Sequence, residues 1–242
     1  MPMPRCAASA VLAVLTIVLA ACADPRSSAT PTAVPTETVT ATATSSTFPM
    51  TVTDSAGASV TLAGPAKRIV SHSPGATEIL FAIGAGAQVL AADEFSNYPA
   101  AAQALRKVKY SDPSPEAEVA LQPDLVILAT NQKAAVEPFR RLGLPVLFNQ
   151  EPDSLAGVLA NVRLLGRLTG HTGEAEELAT RMQRRMDAVA SKVADVREGP
   201  KVFYELSDSL FTAAPQTFIG GMISTLKARN IAQGATSPFP QL

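Results

Sequence analysis

The chain has 242 residues, 20 basic against 21 acidic side chains and 47% apolar residues, for a formal net charge of −1. This balance leaves no basic stripe for a nucleic-acid backbone and no bulk charge to hold a strongly anionic ligand. The apolar fraction suffices for a core formed by burial alone, and two cysteines are too few for a disulfide framework.

Residues 1–21 read as an export signal. Arg5 precedes an apolar run from Ala7 to Ala20 that is too short for a comfortable membrane span. The run ends in Leu19-Ala20-Ala21-Cys22, which resembles the lipobox of bacterial lipoproteins. The resemblance implies cleavage before Cys22 and lipid on its sulfur and new amino group, so that the protein is anchored on the extracytoplasmic face, periplasmic or at the cell surface. Asp24 resembles an inner-membrane retention signal. Residues 22–47 are rich in Thr, Ala, Ser and Pro and cannot bury enough surface to fold, so they are expected to form a disordered tether. Cys6 leaves with the signal and Cys22 carries lipid, which leaves the mature domain no thiol chemistry.

The folded part is predicted as three segments: an N-terminal α/β lobe over 48–152, a helical connector over 153–199 and a partial C-terminal α/β lobe over 200–242. Phe48 to Leu62 alternates as a hairpin with its turn near Asp54 to Gly57. Apolar runs at 68–73, 89–92, 125–129 and 145–149 are expected strands, separated by helices at 76–83, 99–105, 115–121 and 133–142. Strands alternating with helices imply a parallel sheet. Asp153 or Ser154 caps a helix to Leu168. A second helix from about 173 to 196 carries Leu178, Met182, Met186, Val189 and Val193 at helical spacing, a rigid bridge between two lobes. Past Gly199-Pro200 come a strand at 201–206, a short strand at 210–213 and a helix at 218–228. Only 43 residues follow Gly199, fewer than a second α/β domain uses, so the chain is read as truncated.

In a parallel sheet, ligands sit beyond the carboxyl ends of the strands. The polar and aromatic loops there are the first candidates, with Ser73, Thr77 and Phe95 among their residues. Ser73 and Thr77 have helix capping as their alternative role, and Phe95 has local packing under Tyr98 and Pro99. His72 ends a strand near the presumed cleft, and His171 reads as surface. A triad of His72, Ser73 and Asp93 lacks the Gly-x-Ser-x-Gly elbow, and adjacent strand residues face opposite ways. Gly84-Ala85-Gly86 follows a helix and is a helix stop. No enzymatic activity, cofactor or metal site is expected.

Arg68-Ile69-Val70, Ser73-Pro74, Thr77-Glu78-Ile79-Leu80, Phe95 to Pro99, Leu121 to Val126 and Ser237 to Leu242 together resemble the periplasmic substrate-binding proteins of the Fe/B12 type (BtuF/FhuD/FecB-like). These serve ABC importers of vitamin B12, iron siderophores and haem. The resemblance implies two Rossmann-like α/β lobes joined by one long helix, the second lobe incomplete here, with the ligand between them. It implies aromatic grips at Phe95 and Phe239, with Tyr110 near a third. Ala129-Thr130-Asn131 stands where the B12 binder has a bulky aromatic, so a roomier or more polar site is expected, with Thr130 and Asn131 as ligand contacts beside Ser73. Glu116 is the implied acid that docks on permease arginines; the second docking acid would lie past Leu242. The expected protein is a monomeric, lipid-anchored solute-binding protein. It delivers a corrinoid, or else a ferric siderophore or haem, to an ABC permease; a scaffold or sensor lipoprotein of the same fold is the alternative of another class. A half-formed cleft is expected to bind weakly and to support import poorly.

Overall fold

The structure, a computed structural model, describes residues 47–241. The export signal, Cys22 and most of the tether lie outside the described residues. β1 (Met50–Thr53) and β2 (Ser59–Leu62) form the expected antiparallel hairpin. Asp54 makes its turn: one carboxylate oxygen accepts the N–H groups of Ala56 and Ala58, both at 2.9 Å, and Gly57 takes φ +82°.

Five parallel strands follow. β3 (Ile69–Ser71) leads through α1 (Pro74–Ala82) to β4 (Val89–Asp93). α2 (Ala100–Gln103) leads to β5 (Arg106–Val108). α3 (Pro115–Glu118) precedes β6 (Leu125–Leu128), and α4 (Val136–Arg141) precedes β7 (Val146–Phe148). Their spatial order is β5-β4-β3-β6-β7. The chain builds outward from β3 on one side, then returns to build outward on the other. That reversal between β3 and β6 opens a crevice at their carboxyl ends.

Successive side chains along the buried strands alternate between the two faces of the sheet. Leu125, Ile127 and Leu147 face the core shared with α1, while Val126, Leu128, Val146 and Phe148 pack on the α4 side with Val136 and Phe139. Both faces are covered, as parallel sheets require. The Pro123-Asp124 motif proves architectural. The Asp124 carboxylate accepts the N–H groups of Lys67 and Arg68, both at 2.8 Å, and the Arg68 guanidinium donates to the carbonyls of Leu121 and Gln122. This stitches β3 to β6 at the end of the sheet opposite the crevice.

α5 (Leu155–Thr169) and α6 (Thr172–Lys192) fold as a hairpin packed on the α1 side. Ser154 caps α5, accepting from the Gly157 N–H at 3.2 Å. α6 ends four residues before the expected Val196. Met182 and Met186 pack against the core as anticipated, whereas Val189 is exposed. His171, expected at the surface, is half-buried between Gln88 and the start of α6.

The helices approach closely at Gly166, where a Cβ would lie 2.3 Å from the Ala175 Cβ and 3.0 Å from the His171 carbonyl oxygen. Propensity alone favours Ala over Gly in a helix by about 1 kcal/mol. Because the obstacle includes backbone, Gly166→Ala is nonetheless expected to lower stability, by about 1–2 kcal/mol in denaturant unfolding; an unchanged midpoint would refute the close approach. Across the same hairpin Arg163 grips Glu176 bidentately at 2.7 and 3.0 Å. These hydrogen bonds hold the Glu176 carboxyl below its usual range. The pair's contribution is present at neutral pH and fades as acid protonates Glu176. Both side chains are about half exposed, so it is under about 1 kcal/mol.

In 200–241 the expected six-residue strand is two residues, β8 (Lys201–Val202). α7 (Phe218–Thr225) follows, and β8 pairs parallel with β9 (Arg229–Asn230). The predicted strand at 210–213 is reduced to isolated bridges, Glu205 to Thr212 and Phe211 to Gln241. Phe203, Tyr204 and Leu206 are exposed, so nothing packs against a longer ladder there.

Candidate functional site

Four loops meet at the carboxyl ends of the parallel strands. After β3, Ser73 caps α1: its hydroxyl oxygen accepts the Ala76 N–H at 3.2 Å, and its carbonyl accepts the Thr77 N–H. Ser73 is 4% exposed, so capping is its main employment, and Glu78 takes no part in the cap. A chain of hydroxyls links this loop to the next. Ser71, Thr77 and Ser96 stand 2.9 Å apart in turn, and Ser96 meets an Asp93 carboxylate oxygen at 2.5 Å.

The other Asp93 oxygen accepts the Phe95 N–H at 2.9 Å. Lys107, at the centre of β5, donates to the carbonyls of Asp93, Ser96 and Ala102 at 3.3, 2.7 and 3.0 Å. The loop after β4 is therefore tied at both ends, and Phe95 sits on a fixed platform. Its ring is 58% exposed and meets Tyr110 edge-on, with centroids 5.5 Å apart at 82°. The packing partner of Phe95 is thus Tyr110 and not Tyr98, which is itself exposed.

Tyr110 follows β5. Its N–H donates to Glu94 at 2.6 Å, and its carbonyl accepts from the Gln132 amide at 2.5 Å. Tyr110 and Asn131 line one concavity of about 280 Å³. Thr130 is employed elsewhere: its N–H and hydroxyl both reach the Glu151 carboxylate, which ties the β6 loop to the β7 loop. Phe239 is half-exposed in the 200–241 region and makes no ring contact with Phe95 or Tyr110. The structure therefore joins Phe95 to Tyr110 and Tyr110 to Asn131, uses Ser73 and Thr130 as supports, and gives Phe239 no ring contact with them.

His72 does not open to the crevice. It is fully buried, its Nε2 lies 2.8 Å from a Glu118 carboxylate oxygen, and its ring meets Phe139 edge-on at 5.9 Å. The imagined triad fails for the same reason, since His72, Ser73 and Asp93 each serve a different partner. The other Glu118 oxygen accepts the Ser114 N–H at 3.2 Å, so this acid fixes the start of α3. Glu116, two residues earlier, is exposed and carries no ion pair among the described residues. Sequence reasoning missed Glu118. The signal was there: two acids at i and i+2 on a helix cannot share a face, so one of them points inward.

A family model described as periplasmic binding protein matches residues 69–242. A cobalamin-binding protein of Halobacterium salinarum is 33% identical over 202 residues, covering 81% of this chain and 54% of that protein. A Bacillus subtilis protein described as an uncharacterized ABC transporter substrate-binding lipoprotein is 27% identical, covering 78% of this chain and 63% of the relative. The chain thus spans little more than half the length of these curated relatives. The crystal structure of the periplasmic vitamin B12 binding protein BtuF of Vibrio cholerae superposes with a TM-score of 0.65 at 27% identity, covering 74% of this chain and 71% of that one.

Proposed function

The chain belongs to the periplasmic binding protein family, and we propose that it captures a corrinoid outside the cytoplasm and hands it to the permease of an ABC importer. The observation that carries this reading is the Phe95 ring, left more than half open at the carboxyl ends of a parallel sheet and braced edge-on by the less exposed Tyr110. An exposed ring braced by a second ring and by Lys107-fixed backbone costs little to organise on binding, and it covers the apolar face of a large flat ligand. Asn131, in the adjoining concavity, offers a carboxamide to the polar periphery of such a ligand. Relatives described as binding cobalamin and vitamin B12 support the ligand class.

Capture is noncovalent. Glu116, exposed and unpaired at the start of α3, is free to meet a cation on the permease. Cys22 carries the lipid that keeps the protein at the membrane. Cys22→Ser is expected to shift the protein from the membrane fraction to the soluble extracytoplasmic fraction.

A haem or ferric siderophore is the competing ligand. The burial of His72 against Glu118 removes it as an axial ligand to haem iron, which favours a guest gripped by faces. The test is to mix the purified domain with cyanocobalamin, haemin or a ferric hydroxamate and follow melting temperature and visible spectrum. Free ligand at a hundredfold over Kd adds about 2.7 kcal/mol. A rise with cyanocobalamin alone supports the corrinoid reading. A rise with haemin or the hydroxamate alone transfers the function to that ligand, and no response to any sinks the proposal.

A further inference from the structure

A second concavity, of about 300 Å³, lies between α1, α5 and α6 and shares no residue with the Tyr110 pocket. Its floor is apolar, made by Ile79, Val158, Val162, Leu178 and Met182. Asn149, at the carboxyl end of β7, looks into it. This residue is 5% exposed, and its N–H is anchored on the Leu128 carbonyl at 2.8 Å. Its carboxamide, by contrast, makes no hydrogen bond among the described residues. It lines the groove and is available to a guest there.

The rim has a single sign. Glu78 and Glu151 both line the groove, and no Lys, Arg or His does. Glu78 has no ion pair among the described residues. Glu151 uses one carboxylate oxygen on Thr130 and keeps the other free. A neutral apolar guest would leave the Asn149 amide unsatisfied and gain nothing from the carboxylates. An anion would meet like charge. A guest with an apolar body and a cationic N–H donor satisfies all three features at once.

We propose that this groove is a binding site for a small amphipathic ammonium ion, its hydrocarbon on the α5–α6 floor and its head between the Asn149 carboxamide and the Glu78–Glu151 rim. It is separate from the aromatic face and does not depend on the corrinoid reading. The volume is at the lower end for ligand pockets, so the guest is small.

The test titrates the 242-residue chain with hexylammonium, hexanol and hexanoate by calorimetry, following amide shifts by NMR in parallel. Hexylammonium is expected to bind at least about tenfold more tightly than hexanol, the value of one charge-assisted hydrogen bond, and hexanoate most weakly. Glu78→Gln, a change at an exposed position, is expected to remove most of the preference for the amine while leaving hexanol binding unchanged. Ala82→Trp, placing a bulky ring at the exposed edge of the groove, is expected to abolish binding of all three. Equal affinity for hexylammonium and hexanol, no binding at all, or amine binding that survives both variants would each overturn the proposal. Phe95→Ala is the control: it is expected to leave hexylammonium binding intact whatever it does to cyanocobalamin.

Discussion

Phe95→Ala is expected to weaken cyanocobalamin binding by about thirtyfold while leaving the unfolding midpoint almost where it was. The two halves of that expectation come from one number, the 58% exposure of the ring in the free protein. A side chain so open contributes little to the fold; what it loses is one edge-on contact with Tyr110, worth about 0.5–1.5 kcal/mol. On the proposed function the same ring is a buried anchor in the complex, where truncation typically costs about 2 kcal/mol, a factor of roughly thirty. Tyr110→Ala removes the brace, so its effect overlaps with that of Phe95→Ala, and the double variant is expected to lose less than the sum of the two. Equal loss of stability and affinity in Phe95→Ala would mean that the ring is a core residue with an exposed edge. Full retention of affinity would move the site elsewhere.

The platform under Phe95 shows how far the sequence could be read. The strands with unbroken apolar runs, such as Leu125 to Leu128, were plain because a strand covered on both faces has no polar alternation to confuse it. The turn at Asp54 was plain because only a few residue types make it. β5 was not seen: Arg106-Lys107-Val108 carries two charges, which suits an edge strand and hides it from any apolar pattern. Yet Lys107 is the residue that fixes the aromatic loop. Phe95 was legible as a loop aromatic after a strand, and Tyr110 through the family resemblance alone, because the strand before it was hidden. Their mutual contact was not, since it depends on β4 and β5 being neighbours. Ser73 and Thr130 were polar residues in the right loops, but polar residues in loops are also what caps helices and ties loops together, and the structure uses them so. In 200–241 the pattern overstated the strands, because alternation predicts a strand only where something packs on it.

The sharpest test of the structure itself is the buried His72–Glu118 pair. Both side chains are almost wholly inaccessible, and Nδ1 of His72 has no hydrogen-bond partner. Removing one member strands the other in an apolar pocket beside Phe139. His72→Leu and Glu118→Leu are therefore each expected to cost about 3–5 kcal/mol, a large share of the 5–15 kcal/mol that typically holds a domain together. The double variant is expected to recover nearly all of it, because two apolar residues of similar size leave no polar side chain stranded in the pocket and end the isolation of Nδ1. Urea unfolding of the four proteins gives the coupling directly. What stability cannot restore is the bond from Glu118 to the Ser114 N–H at 3.2 Å. In the double variant the amides at the start of α3 should exchange faster with solvent than in the parent, although the global midpoint is the same. Additive losses in the cycle would show that the two side chains do not form a pair. Full recovery of both stability and α3 protection would show that Glu118 holds nothing but His72.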